Sequence, residues 1–174
     1  AEGRAFRARK ILIATGARPH LPDMPGIESC ISSDGFWDLE EMPQSALVVG
    51  ASYIALELAS ILQGLGCQTH LVVRSRLLRG FDDEVAEHLA GLLQQQGIQI
   101  HRPATLRSVS RTNDNRLRVE LQGPTDTAES IEVEQCVLMA VGRIPSTMHL
   151  GLETVGLDLP AGAPIPVDEH HETP

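Results

Sequence analysis

The sequence predicts an α/β fold, a parallel sheet crossed by a β-meander, on three observations. Residues 46–49 are an apolar run that enters Gly50, after which apolar positions recur at helical spacing. Residues 68–73, 84–96 and 98–100 repeat strand, helix, strand, so 46–100 reads βαβαβ. Between 104 and 136 the pattern changes to alternation, with turn residues at 113–115 and 122–124, as an antiparallel meander requires.

In chain order, residues 1–9 read as the end of a strand or loop. Residues 10–14 read as a buried strand that runs into a turn at Gly16, closed by Pro19. Pro22, Pro25 and Gly26 keep the next stretch irregular, and Ser32 or Ser33, backed by Asp34, caps a short helix through Leu39. Ile54, Leu58, Ile61, Leu62 and Leu65 share one face of the first long helix, which Gly64 and Gly66 end. The second long helix follows a cap around Asp82 and Asp83. It carries Val85, Leu89, Leu92 and Leu93 as its apolar stripe and stops at Gly97. In the meander the inward positions are Leu106 and Val109, then Leu117, Val119 and Leu121, then Ile131 and Val133. Residues 137–143 return to a buried strand ending in glycine, and 165–168 suggest a last short strand. Helices are expected on both faces of the sheet, with a ligand at the carboxyl ends of its strands.

The turn at residues 50–55 reads G-x-S-x-x-A against the dinucleotide pattern G-x-G-x-x-G/A. Gly50 permits the turn, and Ala55 is small enough for close packing of helix on strand. The helix N-terminus offers N–H groups and partial positive charge to a pyrophosphate. Ser52 stands where a second glycine lets the backbone approach phosphate, and its hydroxyl is a donor to a phosphate oxygen. The competing reading is a strand–helix turn without ligand. After the second strand, where an acid would accept from the ribose 2′-hydroxyl of NAD, the chain carries Arg74 and Ser75, with Arg79 following. Two guanidiniums and a hydroxyl suit a 2′-phosphate, so NADPH is the expected cofactor. The alternative is that these arginines are ordinary solvated residues.

With 174 residues the chain is long enough for one good-sized core, and its 42% hydrophobic and 21% charged content is that of a soluble globular protein. A net charge of −9 argues against nonspecific nucleic-acid binding. No apolar stretch reaches the ~20 residues of a membrane span, and no basic-then-apolar leader opens the chain. Cys30, Cys67 and Cys136 form no CxxC, zinc pattern or even framework, and His170-His171 reads as a solvated tail, so no metal is expected. A reducing, cytoplasmic compartment fits these cysteines, with an organelle left open.

Taken together, Ala14-Thr15-Gly16-Ala17-Arg18-Pro19, the GASYIALELA segment from Gly50, the VRSRLLRGFD segment from Val73, and Ala140-Val141-Gly142-Arg143-Ile144-Pro145 resemble flavin-dependent pyridine nucleotide–disulfide oxidoreductases, in the correct order. Residues 150–157 are a further familiar piece, and the resemblance covers nearly all of the chain. It implies the Rossmann-like FAD/NAD(P)-binding domain fold. Within the family, GASY, residues 30–34 and the arginine spacing look most like the large, animal-type thioredoxin reductases, with glutathione reductases the runner-up.

The resemblance implies that Gly50, Ala51, Ser52, Tyr53 and Ile54 cradle the pyrophosphate and approach the nicotinamide, with Tyr53 as a gate over the flavin face. Glu57 would lie near the carboxamide, and Arg74, Ser75 and Arg79 would hold the 2′-phosphate. Gly142 and Arg143 would line the groove, and Thr15 and Gly16 would touch the flavin side. It implies residues 45–150 as the NADPH-binding domain, flanked by 1–44 and 151–174 from an FAD-binding domain. The family's redox cysteine pair and catalytic His–Glu pair have no match here, so no catalytic residue is expected in this stretch, which should bind NADPH and turn nothing over. Partners implied are the rest of a homodimeric flavoprotein and a disulfide substrate, thioredoxin or glutathione disulfide. A stand-alone NADPH-binding sensor, or a scaffold that has lost its cofactor, are the rival readings.

Overall fold

The computed structural model describes residues 3–124, 127–134 and 136–174. The first two residues of the 1–9 flank, and 125–126 and 135 of the meander region, lie outside the described residues. The chain divides into two compact units, residues 1–18 with 144–174, and residues 19–143. It passes between them in two short strands that pair with each other, β1 (Ala17–Pro19) and β10 (Arg143–Pro145).

The larger unit is organised on a five-stranded parallel sheet. Its strands are β2 (Ile31–Ser32), β3 (Ser45–Val49), β4 (Gln68–Val72), β5 (Gln99–His101) and β9 (Cys136–Met139), in the spatial order β2-β9-β3-β4-β5. Every residue of β3 and β9 is buried, which is why those segments read as continuous apolar runs rather than alternating ones. The meander is antiparallel: β6 (Thr105–Arg111), β7 (Leu117–Gln122) and β8 (Ala128–Val133). Its inward residues Val109, Leu117, Val119, Leu121, Ile131 and Val133 are buried as the alternation predicts.

The helices α1 (Tyr53–Gly64) and α2 (Asp83–Gln95) lie on the same side of the sheet, not on both faces as the sequence suggested. Ala46, Val48, Leu71 and Leu138 share a core with α1 and with Ala90 and Leu93 of α2. The intervening residues Leu47, Val49, Val72, Val137 and Met139 pack on the meander instead. The meander replaces a second helical layer, because its alternating face supplies the apolar cover that a parallel sheet needs.

The helix faces also differ from the expected ones. The contact stripe of α1 is Ala55, Leu56, Leu58, Ala59 and Leu62, leaving Ile61 and Leu65 exposed. In α2 it is Ala86, Ala90 and Leu93, with Val85 and Leu92 exposed. The expected Leu58, Leu62 and Leu93 do make the contact, and the alanines beside them let the helix axes approach the sheet, so that Ile61, Leu65, Val85 and Leu92 fall outside it. Leu62→Ala is expected to cost about 2–5 kcal/mol, because Leu62 is wholly enclosed, while Ile61→Ala costs much less. Denaturant unfolding of the two variants checks this.

Under the meander lies a polar column. His70 of β4 is hydrogen-bonded to His101 of β5, Nδ1 to Nε2 at 3.0 Å, and His101 Nδ1 is 3.3 Å from Glu129 Oε1 of β8. Burial, and secondarily the neighbouring His101, push the His70 pKa below its ordinary 6.5, against an opposing pull from Glu129. A histidine lowered in this way is neutral in the fold. Its stabilising contribution is complete above the unfolded-state value and is lost as pH falls towards the lowered one. Stability is therefore expected to decline from about pH 6.5 downwards, less steeply in His70→Asn, as unfolding curves between pH 5 and 8 would record.

In the smaller unit, residues 10–16 form no strand, and Ile11 and Leu12 are 81% and 89% exposed. An apolar run makes a buried strand only where a neighbour pairs with it, and none of the described residues does. Residues 165–168 form no strand either. The short helix expected before Leu39 is a single 3₁₀ turn, Gly35–Asp38, following Asp34.

Candidate functional site: a cleft at the strand ends

A cleft of about 770 Å³ opens at the carboxyl ends of β3, β4 and β9, within the larger unit. Its floor is the turn from β3 to α1. Gly50 has φ +145°, and its N–H donates to the Val72 carbonyl at 3.0 Å. A Cβ here would lie 2.3 Å from the Ala140 carbonyl oxygen and 3.1 Å from the Ala55 Cβ. The turn is therefore clamped between β9 and the first turn of α1, and only glycine fits it. Ala55 is fully buried, as close helix–strand packing requires.

The two helix N-termini are built differently. At α2, Asp82 Oδ1 accepts from the Val85 N–H at 3.0 Å, and Asp83 and Glu84 occupy the first turn. At α1, Ser52 is extended, its hydroxyl makes no capping bond, and the first turn carries no acid. The first intrahelical bond runs from Leu56 N–H to the Ser52 carbonyl at 3.1 Å, so the preceding N–H groups have no helical acceptor. An uncapped, acid-free N-terminus that faces a cleft suits an anion, where the capped one does not.

Three arginines, Arg74, Arg76 and Arg79, line the same cleft with Ser75, in a chain whose net charge is −9. Val73 and Leu77 are buried and pin the segment, so the residues between them face outwards. Leu78, at φ +47°, donates its N–H to the Ala51 carbonyl at 2.7 Å and ties the arginine loop to the glycine turn. Arg74 and Arg79 have no ion-pair or side-chain hydrogen-bond partner among the described residues. Arg76 Nη1 pairs with Asp83 Oδ1, with side-chain exposures of 45% and 72%. Ion pairs this exposed contribute about 0–1 kcal/mol, whereas a charge-assisted hydrogen bond to phosphate is worth about 1.5–3 kcal/mol.

The cleft thus brings together Gly50, Ala51, Ser52, Tyr53, Arg74, Ser75, Arg79 and Gly142 of the expected residues. Tyr53, at the first position of α1, is 56% exposed on its wall. Ile54 instead packs against the helix-side core, and Glu57 is exposed one turn further along α1. Arg143 lies 3.9 Å from Asp34. Thr15 and Gly16 belong to the smaller unit, where the Gly16 carbonyl accepts from Ser146 N–H at 2.9 Å. Sequence reasoning missed Arg76, Phe81 and His20, which also line the cleft. The Arg-x-Arg spacing at 74–76 was the available signal for the first.

The residues present fit a dinucleotide: a glycine floor, an uncapped helix N-terminus and, in Arg74 and Arg79, cations without a partner among the described residues, all in one cleft. For a flavin, the turn at Thr15 and Gly16 is too small a surface to hold the ring system by itself. Nor do the three cysteines offer reactive thiolates. Burial, with Glu28 as a lesser cause, pushes Cys30 up to about 11, burial pushes Cys136 up to about 12, and Cys67 is raised by burial as well. No group of metal-ligating side chains gathers among the described residues, and no helix among them is long and apolar enough to cross a membrane.

The family described as pyridine nucleotide-disulphide oxidoreductase matches residues 1–174. A glutathione reductase from Burkholderia cepacia is 41% identical over 172 residues, covering 98% of this chain and 37% of its own length. The chain thus spans little more than a third of that relative. The motif order, the cleft and these matches agree: the chain belongs to the pyridine nucleotide-disulphide oxidoreductases, whose cofactors are NADPH and FAD.

Proposed function

We propose that this chain is the NADPH-binding portion of an FAD-dependent disulfide reductase. The observation that carries the reading is the convergence on one cleft of an uncapped helix N-terminus and two arginines that have no partner among the described residues. Residues 45–150 hold the nucleotide. Residues 1–44 and 151–174 lead towards the flavin-binding part, although 19–44 also lend β2 to the sheet. The chemistry the bound cofactors supply is hydride transfer from NADPH to FAD and onward to a disulfide.

The chain's own residues bind and orient. The α1 N-terminus with Gly50, Ala51 and Ser52 receives the pyrophosphate, and Arg74, Ser75 and Arg79 grip the 2′-phosphate. Tyr53 is the gate over the flavin face that gives way to the nicotinamide, with Glu57 towards the carboxamide. Gly142 lines the groove with Arg143 next to it at Asp34, and Thr15 and Gly16 meet the flavin. The catalytic cysteines and histidine belong to other parts of a homodimeric subunit in a reducing, cytoplasmic compartment.

Glutathione disulfide is the substrate favoured by the 41% identical relative. Ser52 in the GASY turn favours thioredoxin as a second reading. The test is titration of the full-length protein with NADPH and NADH at low salt. Preference for NADPH supports the reading, and equal or absent binding of both overturns it. Turnover with glutathione disulfide against thioredoxin then separates the substrates.

A further inference from the structure

Arg76 is the cleft arginine that the nucleotide reading leaves without a task. Its guanidinium sits on the rim in an exposed, single-contact ion pair with Asp83. Asp83 is the first residue of α2, where the helix field favours a carboxylate whether or not an arginine accompanies it. The cap of that helix is made by Asp82, so the Arg76–Asp83 pair is not needed to close the helix end. Leu77, next to Arg76, is buried and fixes the backbone, which leaves the Arg76 side chain free to change partner without moving the loop.

We propose that Arg76 is a specificity residue for the 2′-phosphate, held in reserve by Asp83 and released to the nucleotide on binding. The inference rests on the NADPH reading above. A carboxylate offers Arg76 one contact in solvent, while a 2′-phosphate offers more charge and several acceptor oxygens inside a cleft that already holds Arg74 and Arg79. The exchange runs towards the phosphate for that reason. Asp83 also sets a threshold. An anion too weak to displace the carboxylate meets two available arginines, and a phosphate meets three.

The test is calorimetry of the full-length protein with NADP⁺ and NAD⁺ at low salt, on the parent, Arg76→Gln, Asp83→Asn and the double variant. Arg76→Gln is expected to weaken NADP⁺ about tenfold and leave NAD⁺ unchanged. Asp83→Asn is expected to tighten NADP⁺ several-fold, and to do nothing once Arg76 is gone, because the two residues act on one another. The proposal is overturned if Arg76→Gln leaves NADP⁺ unchanged. Weaker NADP⁺ binding by Asp83→Asn also overturns it, since the pair would then be a structural clasp. So does equal tightening with and without Arg76, which would be a general field effect. A loss shared equally by NAD⁺ reports loop collapse and counts against it too. If the parent protein does not prefer NADP⁺ over NAD⁺, the nucleotide reading itself fails. A preserved preference with unresponsive variants sinks the Arg76 inference alone.

Discussion

Replacing Arg74 and Arg79 together by alanine in the full-length protein is expected to weaken NADPH by about 10²-fold while NADH binding stays unchanged. On the proposed reading each guanidinium would give the 2′-phosphate a charge-assisted hydrogen bond of about 1.5–3 kcal/mol, and both side chains are exposed, so the lower figure applies. Two such contacts make about 3 kcal/mol, and every 1.4 kcal/mol is about tenfold. The loss should also shrink as salt rises, since salt weakens ion pairs between solvent-exposed charges. Parallel titrations with the two nucleotides at low and moderate salt read this out. Equal losses for NADH would mean that the arginines hold the loop rather than the phosphate.

The second large effect is expected at Gly50. In Gly50→Ala the new Cβ would sit 2.3 Å from the oxygen and 2.9 Å from the carbon of the Ala140 carbonyl. Both belong to backbone immediately after β9, so neither can rotate away. A side chain at φ +145° costs about 1–3 kcal/mol, and the forced shift of β9 costs about 1–3 kcal/mol more. Ala140 N–H donates to the Val49 carbonyl at 2.8 Å, so displacing one strand loosens the other. Hydrogen exchange at the Gly50 and Ala140 amides should accelerate, and NADPH and NADH should be lost alike. That pattern differs from the arginine variant, where one nucleotide suffers. Retention of both affinities in Gly50→Ala would remove the pyrophosphate from this turn.

The parallel core was legible because its signals are local. An apolar run that enters Gly50 and then changes period marks strand, turn and helix within a dozen residues, and the ends of α1 and α2 fall within about a residue or two of the expected ones. That residues 50–53 and Arg74, Ser75 and Arg79 would meet in one cleft was legible for the same reason, since they sit at fixed offsets from strand ends. What failed depends on partners far along the chain. Residues 10–14 have the composition of a buried strand, yet nothing in their own pattern says which strand would pair with them. Val85 and Leu92 outweigh Ala86 and Ala90 in hydrophobicity, yet close approach to a sheet selects the smaller pair. That both helices share one face follows from the meander occupying the other, which no single segment encodes. The Arg76–Asp83 pair was hidden because a turn of backbone, not the spacing, brings the two together.

The buried run of β4 continues one residue past the strand to Val73, and every residue from Arg74 to Arg76 is exposed before Leu77 anchors the loop again. On the proposed reading, the part of the cleft that tells one nucleotide from another therefore sits in a short exposed stretch outside the core, while the part common to both nucleotides is wedged between the end of β9 and α1. Cofactor preference can drift by exchange of three or four exterior residues at almost no cost in folding. The glycine beneath them has no such liberty. A lineage built on this scaffold is free to change which reductant it accepts, but not where that reductant lies.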